Sequence, residues 1–149
     1  MIGTKFVLAQ LSPQTRGWGD VSRVVSELKP ERAQPCILVV EDELLIRLLI
    51  SQELRDSGFR VIEVFSADEA LRILQSGVAI DLIFTDVRLP GTIDGLALMA
   101  IVLKEFQTIE VVVTSAHLSA DAVSCPFFTK PYRPIEVVAT IKQLLVKDE

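Results

Sequence analysis

Five residues carry the chemistry this sequence suggests: Glu41, Asp42, Asp86, Ser115 and Lys130. Three carboxylates brought together repel one another. At about 4 Å, with an effective dielectric near 20, each pair costs about 4 kcal/mol. A cation removes that cost, and hard oxygen donors with room for water suit magnesium. Magnesium also neutralises a phosphoryl group during in-line transfer. An aspartate carboxylate can accept such a group covalently. A hydroxyl such as Ser115 and an ammonium such as Lys130 would hold the remaining phosphoryl oxygens.

Each residue also has a plainer reading. Asp42 would serve as a helix cap, Lys130 as a solvated lysine, Ser115 as a turn residue. Thr114 would be buried and bonded to backbone. What favours the chemical reading is where the elements must put these residues. Cys36 to Val40 is a continuous apolar run rich in β-branched residues, as in a strand buried on both faces. Arg60 to Val64, Asp81 to Thr85, Glu110 to Thr114 and Phe127 to Thr129 read as four more strands. Between them stand helical patterns. Leu44, Leu45, Leu48, Leu49 and Leu54 suit a helix ended by Gly58. Ser66 with Glu69 forms a capping box before a helix through Leu74. Asp94 caps a helix to about Phe106. Pro134 opens the last helix, with Ile135, Val138, Ile141 and Leu145 on one face.

Strands alternating with helices over short connections predict a parallel sheet covered on both sides, with right-handed crossovers. In such folds the functional crevice lies at the carboxyl ends of the strands. Glu41 and Asp42 follow the first strand, Asp86 the third, Ser115 the fourth and Lys130 the fifth. All five therefore fall on one rim.

The series Val39-Val40-Glu41-Asp42-Glu43, Phe84-Thr85-Asp86-Val87-Arg88-Leu89-Pro90-Gly91, Asp94-Gly95, Val113-Thr114-Ser115-Ala116 and Thr129-Lys130-Pro131-Tyr132 resembles the receiver domain of bacterial two-component response regulators. The resemblance runs from about Pro35 to the C-terminus. It implies a flavodoxin-like (βα)5 α/β fold, a doubly wound five-stranded parallel sheet of order 2-1-3-4-5. It implies phosphotransfer to Asp86 from a sensor histidine kinase or a histidine phosphotransfer protein, with Mg2+ as cofactor. By the same resemblance Asp42, Glu41, Asp86 and the backbone carbonyl of Arg88 hold the metal. Ser115, followed by the small Ala116, takes the hydroxyl position ahead of Thr114. Lys130 contacts the phosphoryl group, the Lys130-Pro131 bond is the family's cis peptide, and Phe127 is the aromatic switch residue.

Two features depart from that pattern. The stretch from Ser115 to Lys130 is short and contains Cys125 and Pro126, so only about Ser119 to Ser124 could be helical. The helix between the fourth and fifth strands is expected to be reduced or mobile, which puts the family's usual output face in doubt. The second departure is an N-terminal segment of residues 1–34 ahead of a receiver at 35–149. There Val21, Val24, Val25 and Leu28 stand at helical spacing. That allows one short amphipathic helix, the plainer alternative being a tail with a nascent helix.

The chain has 149 residues, half of them hydrophobic, and a net charge of -5. That composition suits one globular domain and argues against nucleic-acid binding, which needs a basic face. No apolar run is long enough to cross a membrane. Cys36 and Cys125 form no metal-type spacing, and a reduced, cytoplasmic setting is expected. No further domain is expected after the last helix, so output would run through a downstream protein partner, from a monomer or weak dimer. An alternative is a magnesium phosphohydrolase with an aspartyl nucleophile. It would want a second Asp where Arg88 stands, and arginine cannot give up its proton at neutral pH. The other alternative is a receiver-like binding module that is not phosphorylated. The expected role is thus not that of an enzyme, self-dephosphorylation aside.

Overall fold

The computed structural model describes residues 33–146. The readings made for residues 1–32, including the helix through Val21 and Leu28, lie outside them. Five strands form one parallel sheet: β1 (Cys36–Val40), β2 (Arg60–Val64), β3 (Leu82–Asp86), β4 (Glu110–Ser115) and β5 (Phe127–Thr129). Their order is β2-β1-β3-β4-β5, the doubly wound order expected. The helices are α1 (Leu44–Asp56), α2 (Ala67–Gln75), α3 (Gly95–Glu105) and α4 (Pro134–Leu145).

Alternation along the strands builds two cores. Leu38, Val40, Ile83, Val111 and Val113 meet α2 and α3 through Ala70, Leu74, Leu98 and Val102. Ile37, Val39, Leu82, Phe84 and Val112 meet α1 and α4 through Ile50, Leu54, Val137 and Ile141. β1, β3 and most of β4 are buried on both faces, which is why they carry unbroken apolar runs.

The helix starts follow their sequence signals. Ser66 Oγ accepts the Glu69 amide at 3.2 Å, and Glu69 answers by accepting the Phe65 amide at 3.1 Å. Asp94 Oδ1 accepts the Ala97 amide at 2.8 Å at the start of α3. Pro134 sits in the first turn of α4.

Three expectations need correction. Leu44, Leu45, Leu48 and Leu49 face solvent, Leu45 at 75% exposure. Of that pattern only Leu54 is buried, and α1 packs through it and Ile50, one turn apart, with Ser51 between them. In α4 Ile135 is 60% exposed and Val137 is buried in its stead. Asp81 precedes β3 rather than opening it, and its carboxylate accepts the Cys36 amide at 2.7 Å, fixing the start of β1. The connection from β4 to β5 holds a single 3-10 turn at Ala120–Ala122, so the reduced helix expected there is one turn long. Among the described residues no helix is long and apolar enough to cross a membrane.

Candidate functional site

Register sets the site. Val40 lies beside Thr85, Asp86 beside Thr114, and Ser115 beside Thr129. The strand ends of β1, β3, β4 and β5 therefore meet along one rim. Glu41 and Asp42 leave β1 there, and with Asp86 they bring one carboxylate oxygen each within 4.8 Å of one another. Glu41 is fully buried, Asp86 nearly so, and Asp42 is exposed.

Lys130 reaches across from the end of β5. Its Nζ lies 2.8 Å from Glu41 Oε2 and 2.9 Å from Asp86 Oδ2. Burial alone would lower the pKa of this ammonium. Its hydrogen bonds to Glu41 and Asp86, and their charges, outweigh burial and hold it above its ordinary value. Glu41 is pushed up by burial, against the pull of Lys130 and the Glu43 amide. The solvated-lysine reading thus fails on geometry. So does the helix-cap reading of Asp42, since Glu43 is the residue preceding α1.

Backbone contacts hold the rim. Thr85 donates its hydroxyl to the Asp86 carbonyl at 2.8 Å. The first turn of α3 lies so close that a Cβ at Gly95 would collide with the same carbonyl oxygen. Ser115 Oγ accepts the amides of His117 and Leu118 at 3.1 and 3.2 Å. Thr114 Oγ1, expected to be bonded to backbone, is instead buried without a partner. Arg88, Ser115, His117 and Lys130 line a cleft of about 160 Å³ beside Asp42 and Asp86. Phe127 is half-buried against the α2/α3 core. The Lys130-Pro131 peptide is cis.

Three supporting residues escaped the sequence reading. Arg47 in α1 donates to the Glu41 carbonyl at 2.7 Å and pairs with Glu63, bracing the turn after β1. Tyr132 stacks edge-on against Phe84, ring centres 5.6 Å apart, with its hydroxyl buried and unpartnered. Burial raises that phenol's pKa, and the nearby Glu41 and Asp86 charges add to the effect. Asp68 in α2 bonds Thr92 in the loop after β3. Only the capping box beside Asp68 was visible in sequence.

The donor set fits a hard divalent cation. Three carboxylates converge, Lys130 bonds one oxygen each of Glu41 and Asp86, and Asp42 opens to water. The family model for the response regulator receiver domain matches residues 37–142. The chain belongs to the response regulator receiver family. Receiver domains act in two-component signalling, pair with histidine kinases and serve as phosphoacceptors rather than as classical enzymes in the usual sense. This receiver is 32% identical over 128 residues to the transcriptional regulatory protein BaeR of Escherichia coli O6:H1, covering 81% of this chain and 52% of that one. It spans about half the length of BaeR and of the regulatory protein VanR of Enterococcus faecium, 52% and 49%. Among solved structures it resembles a response regulator receiver protein from Sinorhizobium medicae, with 28% identity, TM-score 0.72, and coverage of 78% of this chain and 98% of that one. It also resembles the response regulator TrrA of Thermotoga maritima in complex with Mg2+-BeF, with 29% identity, TM-score 0.65, and coverage of 74% and 99%. The receiver's Glu41, Asp42 and Asp86 cluster is consistent with a magnesium site of that kind.

Proposed function

We propose that this receiver takes a phosphoryl group on Asp86 from a histidine kinase or a histidine phosphotransfer protein and signals through a downstream protein. One observation carries the reading: the Asp86 carboxylate lies beside two further carboxylates and the Lys130 ammonium and lines a cleft. Glu41, Asp42, Asp86 and the Arg88 carbonyl would hold Mg2+. Bound there, the metal supplies charge neutralisation for the phosphoryl oxygens.

The chain's own groups do the rest. An Asp86 carboxylate oxygen forms the new O–P bond as the P–N bond to the donor imidazole breaks. Lys130 shifts from pairing two carboxylates to pairing the phosphoryl oxygens, without leaving the cleft. Ser115 keeps its hydroxyl proton for a phosphoryl oxygen, because its Oγ serves only as acceptor in the structure. We assign the receiver to residues 35–149, with 1–34 as a separate N-terminal segment; the division of the chain after Ala33 supports that boundary. A cytoplasmic setting suits a phosphodonor of this class.

The test is incubation with Mg2+ and a small acyl phosphate, followed by intact-mass measurement. One phosphoryl group should be added to the wild type and none to Asp86→Asn. Normal phosphorylation of Asp86→Asn would overturn the assignment.

A further inference from the structure

The residues that form the candidate cleft are not all fixed in the same way. Asp86 ends a central strand, and Glu41 and Asp42 directly follow another. Arg88 stands instead in the loop joining β3 to α3. That loop is closed at its base by backbone bonds from Val87 to the Thr114 carbonyl at 3.0 Å and from Gly95 to the Val87 carbonyl at 2.8 Å. Its tip is held from another element altogether.

Asp68, in the first turn of α2, turns its carboxylate onto Thr92. Oδ2 accepts the Thr92 amide at 3.0 Å, and Oδ1 accepts the Thr92 hydroxyl. α2 does not need Asp68 for its own start, because Ser66 caps it. Opposite the carboxylate stands Gly91, with φ 107°. A side chain there would be strained by the backbone angle, and its Cβ would collide with Asp68 Oδ2. Loop and carboxylate are thus shaped to each other. The Thr92 hydroxyl, with help from loop amides, also holds the Asp68 carboxyl below the usual carboxylate range.

We propose that Asp68 is a positioning residue for the magnesium and phosphoryl site, latching Thr92 so that the loop presents the Arg88 carbonyl to the cleft. This inference rests on the reading of the cleft under Proposed function. A loop with a free tip must be ordered when the ion binds, and that ordering weakens binding. A loop latched beforehand avoids it. Groups that orient ligands without touching the metal act in the same way elsewhere.

The experiment is calorimetric titration of Mg2+ into the phosphate-free protein, with Asp42→Asn as the reference for a damaged site. Asp68→Ala should weaken binding on the order of ten-fold. Asp68→Asn keeps an acceptor for the amide and can still bond the hydroxyl, so it should titrate near wild type. Two results overturn the latch: Asp68→Ala binding like wild type, or Asp68→Asn falling as far as Asp68→Ala, which would show that only the charge matters. If Asp68→Ala does not fold, Thr92→Val decides, since it removes only an exposed hydroxyl; weaker binding supports the latch and unchanged binding refutes it. If the wild type itself takes up no Mg2+ and matches Asp42→Asn, the reading of the cleft falls and the latch with it.

Discussion

The hydroxyl oxygen of Ser115 accepts the amide of Leu118 at 3.2 Å, so the end of β4 is tied to the segment that follows it. The same oxygen takes the His117 amide. A hydroxyl has two acceptor positions and one proton. Ser115 can therefore give its proton to a phosphoryl group on Asp86 without releasing either amide. Movement of Ser115 toward that charge would pull residues 117 and 118 with it.

That tether leads to the first prediction. Phosphorylation should slow amide hydrogen exchange across residues 116–126, where one 3-10 turn is the sole helical element. Adding about 1.5 to 2 negative charges at the rim orders the segment through Ser115. In Ser115→Ala the effect should disappear and phosphorylation should be slower. Equal protection of the wild-type segment with and without phosphate would refute the coupling.

Thr114, one position earlier, should behave in the opposite way. Its Oγ1 is buried with no partner, and such a group costs about 1–3 kcal/mol. Thr114→Val should raise stability by about 1 kcal/mol in denaturant titration and leave phosphorylation at the wild-type rate. Loss of phosphorylation in Thr114→Val would show that the hydroxyl position has been assigned to the wrong residue.

Lys130 gives a prediction in pH. Its folded pKa is raised above 10.5, so its contribution to stability is complete below 10.5 and is lost as pH rises through the folded value. Glu41 is also raised, from 4.5, chiefly by burial; the fold gains from its protonation as pH falls through that raised value. Lys130→Met should lose about 1–3 kcal/mol at neutral pH, because Glu41 is left buried and charged. Part of that loss should return on acidification, and the share of the alkaline loss expected from Lys130 should be missing, leaving the share expected from the buried Tyr132 phenol. Urea titrations over a pH series without metal would check both. A loss independent of pH would mean that Glu41 is not the group left exposed to burial.

On α1, position outweighs residue type. Leu45→Ser, at a solvent-facing leucine, should change stability by no more than about 0.5 kcal/mol. Leu54→Ala, in the α1/α4 core, should cost about 2–5 kcal/mol. Comparable losses for the two variants in thermal melts would contradict the orientation of the helix.

These contrasts show what can be read along the chain and what cannot. β1, β3 and β4 were visible because burial on both faces demands unbroken apolar runs. Glu41, Asp42, Asp86, Ser115 and Lys130 could be placed on one rim because each ends or directly follows a strand. The packing face of α1 was hidden, since Leu44, Leu45, Leu48 and Leu49 are spaced as a core stripe would be. What chooses the other face is contact with α4, which no local pattern encodes. The contact of Asp68 with Thr92 was hidden for a similar reason. It joins positions 24 apart and depends on how Gly91 bends the loop.

The bonds from Lys130 back to Glu41 and Asp86 close over 89 and 44 positions of chain. During synthesis, at about 5–20 residues per second, the acidic residues therefore leave the ribosome several seconds before their cation. Contacts so distant in sequence form late, because chain closure must precede them. A nascent chain halted before Lys130 has the aspartate but lacks the cleft around it. A phosphoacceptor site built from these residues would therefore be complete only once Lys130 has been made.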